Sequence, residues 1–327
     1  MGIRALRQLQ IGKEATKGTA VPATAVLLGE LEMKSSPTIY RAPEHRGQLA
    51  EFSRSVKVAN LAELVYTGSA TFEQILYLLH MGVLGNVTPT TVDTSARLWT
   101  FTPAMTASGV FNSFTIEYGD DVEQWESEFC MAREIEISGA MNEPVKMKGD
   151  IFGRKMTACD FTGALTPPTV EDILSQKAKL YIDAETGTIG ATEKASQLIA
   201  FTYTIKTGLA PKRYADGSLD FSNYNETFKG VDLKMTFAFN ANAEVERLLF
   251  DGETKRLIRI QATGSKVGAV SALKTLTLDF CGIYTDWATL SERGGEDIVE
   301  VTMSAQRGST YTKLFEVAVQ NAVTTLP

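Results

Sequence analysis

The sequence predicts an α+β fold that is mostly β: two tandem β-sandwich or barrel-like domains, each with one short helix, plus extended N- and C-terminal segments. Similar motifs occur twice in the same order, short stretches alternate apolar and polar residues, and two stretches have apolar residues at helical spacing. The predicted boundaries are an extended N-terminal segment at 1–30, a first domain at 31–163, and a second domain with the C-terminal segment at 164–327.

The internal repeat is the first of these observations. Gly47-Gln-Leu49 recurs 170 residues later as Gly217-Ser-Leu219. Further pairs of segments follow in the same order, namely Phe72–Leu79 with Ala243–Phe250, Phe114–Tyr118 with Leu276–Phe280, and Pro144–Lys148 with Ile298–Thr302. Identity between the copies is low, so a single irregular α+β domain whose strands merely look alike remains an alternative.

Strand alternation is clearest in the second copy. Every second residue from 231 to 239 is apolar, which predicts a strand with one buried face made by Val231, Leu233, Met235, Phe237 and Phe239. The segment Phe161–Val170, rich in Pro, Gly and Thr, is the predicted linker between the halves.

The helices show a different period. Phe72, Ile75, Leu76 and Leu79 have the i, i+3, i+4, i+7 spacing of one helix face. The first three of these positions recur at Val245, Leu248 and Leu249. We therefore expect each helix to cover one face of a sheet through these residues.

Composition narrows the possible functions. The 327 residues are 44% hydrophobic and 22% charged, which is typical of a globular protein. A net charge of −7 argues against stable binding to nucleic acid through its phosphates. No stretch of about 18 apolar residues and no secretory signal is seen, so no membrane contact is expected. The three cysteines have no paired spacing and indicate free thiols in a reducing cytoplasm.

Residue patterns for catalysis or metal binding are not found. The two histidines, His45 and His80, have no partner at metal-ligand spacing, and Cys-x-x-Cys, Gly-x-Ser-x-Gly and phosphate-binding glycine loops do not occur. The acidic run 120–128 lacks the residue order of a calcium loop and is better explained as a charged hairpin. We therefore predict no catalytic, cofactor-binding or metal-binding residues, no cofactor, and no enzymatic activity.

The N-terminal motif carries a family resemblance. Ile11-Gly-Lys-Glu-Ala-Thr-Lys-Gly-Thr-Ala-Val-Pro-Ala-Thr24, followed by Leu27-Leu-Gly29, resembles the start of tail tube (major tail) proteins of siphophages and prophages. The resemblance implies a structural virion protein that forms stacked rings around a channel for DNA. Two tail-tube-like domains in one chain imply a trimeric ring with pseudo-sixfold symmetry.

The resemblance also implies partners and a location. The partners would be other copies of this chain, a tape measure protein inside the tube during assembly, tail terminator and distal tail proteins, and double-stranded DNA that passes without adhering. The chain would lie in the virion tail after assembly in the host cytoplasm.

Two sets of residues are candidates for these contacts. Acidic lumen walls would repel DNA phosphates. The predicted ring-stacking residues are Ile11, Gly12, Lys13, Glu14, Arg41, His45, Arg46 and Arg54, and the lumen candidates are Glu123, Glu126, Glu128, Glu134 and Glu136. The alternative that the 1–30 segment and the 41–54 loop fold back onto their own domain stays open.

Two other functions compete with this one. One is a tube or connector component of a contractile tail or injection machine, which would require a sheath partner. The other is a monomeric β-rich binding or adhesin module, which would present an exposed aromatic patch. The scattered aromatic residues, 9% of the chain, do not favour the second.

Overall fold

The chain folds mostly into antiparallel strands. A computed structural model describes residues 2–269 and 271–326. Strands hold 48% of the chain and helices 8%, which confirms the predicted α+β, mostly β class. The α-helices among the described residues are α1 (Ile75–Gly82) and α2 (Ala241–Asp251).

The strands are, in chain order, β1 (Gln8–Lys13), β2 (Ala25–Val26), β3 (Glu30–Ser35), β4 (Thr38–Arg41), β5 (Ser55–Ala59), β6 (Ala62–Ser69), β7 (Thr90–Thr91), β8 (Arg97–Phe101), β9 (Phe114–Gly119), β10 (Gln124–Ala140), β11 (Lys146–Gly153), β12 (Thr157–Ala158), β13 (Ala178–Ala184), β14 (Leu198–Lys206), β15 (Leu209–Lys212), β16 (Asn223–Glu226), β17 (Gly230–Ala238), β18 (Arg256–Lys266), β19 (Leu273–Trp287), β20 (Ser291–Arg293), β21 (Glu296–Ala305) and β22 (Phe315–Asn321).

The main sheet joins both halves of the chain. Its strand order is β3–β6–β11–β10–β14–β17–β21–β19, and β20 continues β19 along β21. Within residues 2–269 and 271–326 the strand pairs do not form a closed circuit. The main sheet therefore ends at β3 on one side and at β19–β20 on the other.

Two long strands connect the main sheet to a second layer. The N-terminal part of β10 pairs with β9, which pairs with β1, and the N-terminal part of β19 pairs with β18 and β22. Register shifts lie at Ala132/Glu134 in β10 and at Tyr284/Asp286 in β19. Such bulges bend a strand, which suits strands that pass from one layer to the other.

The core lies between the two layers. The predicted buried face of β17 is confirmed, because Val231, Leu233, Met235 and Phe237 are all buried. Phe239 follows the strand and is half-buried against the same core. Both helices lie on this apolar side of the main sheet.

The pairing of strands repeats between the halves. Leu64 of β6 lies opposite Ile151 of β11, and Leu233 of β17 lies opposite Met303 of β21. One predicted correspondence was wrong. Phe114–Tyr118 forms β9, a separate strand that pairs with the start of the long strand β10, and its topological counterpart is β18 rather than residues 276–280 of β19.

The predicted buried face of the second helix was also wrong. Val245 and Leu248 are 53% and 68% exposed, whereas Ala243 and Glu246 are buried. In α1, a Cβ on Gly82 would lie 3.0 Å from Ile135 of β10, and in α2 the ring of Phe250 lies 6.2 Å from Trp287 of β19. By these contacts Gly82 corresponds to Phe250, so the helices do not follow the pairing of Phe72 with Val245 that the apolar spacing suggested.

The two halves are interlocked rather than simply adjacent. Strand β22, near the C-terminus, pairs with β19 on one side and with β8 of the first half on the other. The predicted linker 161–170 contains no helix or strand. In the part of the chain that the structure describes, no helix is both long enough and apolar enough to span a bilayer.

Candidate assembly surfaces

The main sheet has one face that this chain leaves polar. Residues on this face alternate with the core residues along every strand. Its acidic residues, which outnumber its basic ones, are Glu30, Glu32, Glu63, Glu134, Glu136, Asp150, Asp232, Asp286 and Glu300. Its basic residues are Lys34, Arg133, Lys146, Lys148, Lys206 and Lys234. The lumen candidates Glu134 and Glu136 thus belong to an acidic surface.

The other three lumen candidates lie elsewhere. Glu123, Glu126 and Glu128 lie at the β9–β10 end of the second layer, away from that face. Burial raises the pKa of Glu126, and the nearby Glu128 and Glu117 carboxylates raise it further. Glu128 is paired with Arg154 at 3.4 Å.

The halves are joined edge to edge at β10 and β14. Ile135 lies opposite Ile205 on the core side, and Glu134 lies opposite Lys206 on the polar side. The Thr207 amide donates to the Arg133 carbonyl at 3.0 Å. We call this contact the internal joint.

The strand edges that correspond to the internal joint are unpaired among the described residues. Strand β3 pairs with β6 as β14 pairs with β17, but no strand lies on its other side. Residues 286–293 pair with β21, and their opposite edge carries no strand either. The Ser36 amide donates to the carbonyl of Leu61, the residue before β6, at 2.8 Å. Because successive amides of a strand point to opposite sides, the Ser35 amide points towards the unpaired edge.

The N-terminal ring-stacking candidates are folded into their own chain. Ile11, Gly12 and Glu14 are buried, and β1 pairs along β9. The Glu14 carboxylate accepts hydrogen bonds from the Phe129 amide at 2.7 Å, the Gly18 amide at 2.7 Å and the Ser113 hydroxyl at 2.6 Å. Buried polar groups need such partners, so Glu14 fixes this segment to the body. Lys13 is half-buried.

The remaining ring-stacking candidates lie on the β4–β5 hairpin, residues 38–59, which we call the first hairpin. Arg41, His45, Arg46 and Arg54 are all exposed there. Hydrogen bonds from Arg46 and Arg54 lower the pKa of the Glu44 carboxyl between them. The four hairpin candidates are therefore exposed, whereas three of the four N-terminal candidates are buried.

The second histidine is part of the core. His80 packs edge-on against Trp99 and Phe101, and its Nδ1 lies 2.8 Å from the Leu76 carbonyl oxygen. Burial lowers the pKa of His80 to about 4. Residues 2–269 and 271–326 contain no group of three or more His, Cys, Asp or Glu side chains placed to hold a metal ion.

Sequence reasoning missed the two unpaired edges and one exposed aromatic residue. Phe228, two residues before β17, is 99% exposed. The edges could have been found from the repeat itself. Strand β14 has a neighbour on each side, β10 and β17, so its counterpart at 30–35 would be expected to have two neighbours as well. For Phe228 no signal was available, since exposure of a single aromatic residue cannot be read from spacing.

The chain was compared with protein-family models and with curated protein sequences. No protein-family model matches the chain, and a search of curated protein sequences finds no match.

Proposed function

We propose that this chain is a structural protein that self-assembles into stacked rings, forming a tail tube of the siphophage type through which DNA passes. The observation that carries the proposal is the internal joint together with the two unpaired edges that correspond to it. Because an open sheet edge is a template for pairing with another chain, β3 of one copy would add to residues 286–293 of the next.

Repetition of this contact leads to a ring. The contact is heterologous, since two different edges meet, and heterologous contacts close into rings or continue as filaments. Each main sheet contains two four-stranded repeats, β3–β6–β11–β10 and β14–β17–β21–β19. Three chains would therefore place six such repeats around one axis. The internal joint and the joint between chains would then alternate around the ring.

The polar face of the main sheet supports the same function. Its excess of carboxylates would repel DNA phosphates, whereas a basic wall would bind them with release of counterions. Glu134 and Glu136 would face the channel, and a tape measure protein would occupy it during assembly. In this proposal the chain is not an enzyme.

The test is an edge variant observed by negative-stain electron microscopy and sedimentation velocity. Ser35→Pro removes the amide that points away from β6, which leaves the β3–β6 hydrogen bonds in place. We expect rings or striated tubes from the wild type and from the control Ser35→Ala, and folded monomers from Ser35→Pro.

Two results would contradict the proposal. One is a wild-type chain that stays monomeric at high concentration. The other is a Ser35→Pro variant that assembles as well as Ser35→Ala, because the unpaired edge would then play no part. Circular dichroism of the variant shows whether its strands are intact.

A further inference from the structure

The first hairpin has a counterpart in the second half of the chain. Strands β15 and β16 form a second hairpin, residues 209–226, whose loop has the same order of residue types. Gly47 and Gly217 both have positive φ, 68° and 84°. Each is followed in order by a leucine, an acidic residue, a phenylalanine and a serine, and the first hairpin has one additional residue, Ala50, after its leucine. Since positive φ favours glycine, the two loops share a backbone turn as well as a motif.

The second hairpin is anchored in the first half through its phenylalanine. Phe221 is fully buried, and its ring centroid lies 4.9 Å from that of Phe129 and 5.6 Å from that of Phe152. Arg154 lies over the Phe221 ring and donates to its carbonyl oxygen at 3.0 Å. This small core is separate from the main one and contains residues of both halves.

Polar contacts fix the same loop against Asn60, two residues before β6. The Asn60 amide donates to the Leu219 carbonyl at 2.9 Å, and its side-chain amide donates to Asp220 at 2.7 Å. Arg213 donates in turn to the Asn60 carbonyl at 2.7 Å. The second hairpin is therefore hydrogen-bonded to the first half just before β6, through both backbone and side-chain groups of Asn60.

The first hairpin makes none of the corresponding contacts. In the described part of the chain, every hydrogen bond and ion pair of residues 38–59 joins two residues of the hairpin itself. Leu49 is fully exposed, and Phe52, the counterpart of Phe221, is 38% exposed. The same motif is thus anchored in one half and unpartnered in the other.

In the second half, the surface that corresponds to the one around Asn60 lies just before β17. The buried run of β6 begins at Ala62 and that of β17 at Val231, so Lys229 is the counterpart of Asn60. Directly beside it is Phe228, 99% exposed. Leu49 and Phe228 are the two most exposed large apolar side chains among the described residues.

We propose that the first hairpin docks onto the second half of another copy of this chain, with Leu49 against Phe228. The occupant is a second copy because this chain already shows the same hairpin motif bound to the counterpart surface. The proposal rests on the proposed function, since it adds a second contact between neighbouring copies. Leu49 and Phe52 hold the copies together, and the charged residues of the hairpin remain at its surface.

The test is disulfide formation between two different variants of the full chain. Leu49→Cys and Phe228→Cys chains are mixed, both with Cys159→Ser, because Cys159 is the described cysteine that is not buried. We expect a disulfide-linked dimer at least tenfold faster than from Leu49→Cys mixed with Val122→Cys, since the exposed fractions of Val122 (62%) and Phe228 (99%) differ by less than twofold. Asn60→Cys with Leu219→Cys in one chain is the positive control.

A second measurement does not depend on cysteine geometry. The double variant Leu49→Asp/Phe52→Asp is expected to weaken self-association at least tenfold in sedimentation equilibrium while its strand content stays unchanged. Equal crosslinking rates in the two mixtures, or unweakened association of the double variant, would overturn the docking proposal alone. A wild-type chain without self-association would overturn the ring proposal as well.

Discussion

The two halves of the chain follow one plan, but equivalent surfaces are covered to different extents in the two. In the first half β10 has β14 on its edge, α1 is buried along its whole length, and the second hairpin covers the surface near Asn60. In the second half the edge at 286–293 is unpaired and Leu248 on α2 is 68% exposed. The second half supplies the cover at the β10 edge and beside Asn60, whereas Trp99 and Phe101 of the first half itself pack on His80 of α1.

The difference teaches that the second half serves as the neighbour of the first. Groups that are exposed in the second half, or on the first hairpin, have buried or paired counterparts elsewhere in the same molecule. In the proposed ring, a neighbouring chain would cover these positions. The following predictions test this comparison under conditions where the chain is monomeric by sedimentation.

The largest difference is expected between the two hairpin phenylalanines. Phe221→Ala removes a fully buried ring and should lower the free energy of unfolding by about 3–5 kcal/mol. Phe52→Ala should change it by less than about 0.5 kcal/mol, because Phe52 is 38% exposed and lies outside both buried apolar clusters. Urea denaturation measures both, and equal effects would show that the hairpins do not differ as described.

The anchor of α2 should have the next largest effect. Glu246 is fully buried, with Arg256 at 2.8 Å, Lys194 at 3.3 Å and the Tyr284 hydroxyl donating to it at 3.0 Å. Glu246→Ala leaves these groups without their carboxylate and should lower the free energy of unfolding by roughly 3–5 kcal/mol. Glu244→Ala, an exposed change in the same helix, is the control, and a similar loss from both would contradict the assigned register.

A pH-dependent effect is expected from α1, whose His80 corresponds to exposed Leu248. The pKa of His80 is about 4 in the folded chain, below its ordinary value of 6.5, so the unfolded chain binds this proton more readily. Stability from the neutral ring is present above pH 6.5 and falls by roughly 3 kcal/mol as the pH drops to 4.

His80→Asn should remove this contribution while leaving the titration of the carboxylates. The measurement is the free energy of unfolding of both proteins from pH 7 to pH 4. If the difference between wild type and His80→Asn does not change with pH, the ring is not held neutral by burial.

The smallest effect is expected at Leu248 itself. Leu248→Ser should alter the free energy of unfolding by less than about 0.5 kcal/mol, because the side chain is mostly in solvent. Thermal unfolding followed by circular dichroism is sufficient to measure it. A loss above 2 kcal/mol would mean that α2 is as covered as α1.

The sequence was sufficient to predict the fold class and those strands that have one buried face and one exposed face. Val231 to Phe237 alternate because one face of β17 meets the core and the other does not. The helix register failed for a definite reason. In α2 the buried face contains Glu246, whose charge is neutralised by Arg256 and Lys194, and a charged residue does not signal burial by its type.

Contacts between distant segments could not be predicted. The burial of Glu14 depends on a hydrogen bond from Phe129, which is remote in sequence. The pairing of β22 with β8 links the end of the chain to its first half, and two regular strands give no indication of their partner. The repeat did contain one unused signal, because the match at Leu49 and Leu219 continues to Phe52 and Phe221 once the additional residue Ala50 is allowed for.

The covalent link across the internal joint has a consequence for how fast a closed assembly nucleates. A ring of six repeats formed from single-repeat chains would require six molecules to meet, whereas the ring proposed for this chain would require three. Each encounter avoided spares several kcal/mol of translational and rotational entropy. The concentration at which nucleation begins should therefore be lower, and the lag phase should depend on a lower power of concentration, than for chains cut between the repeats.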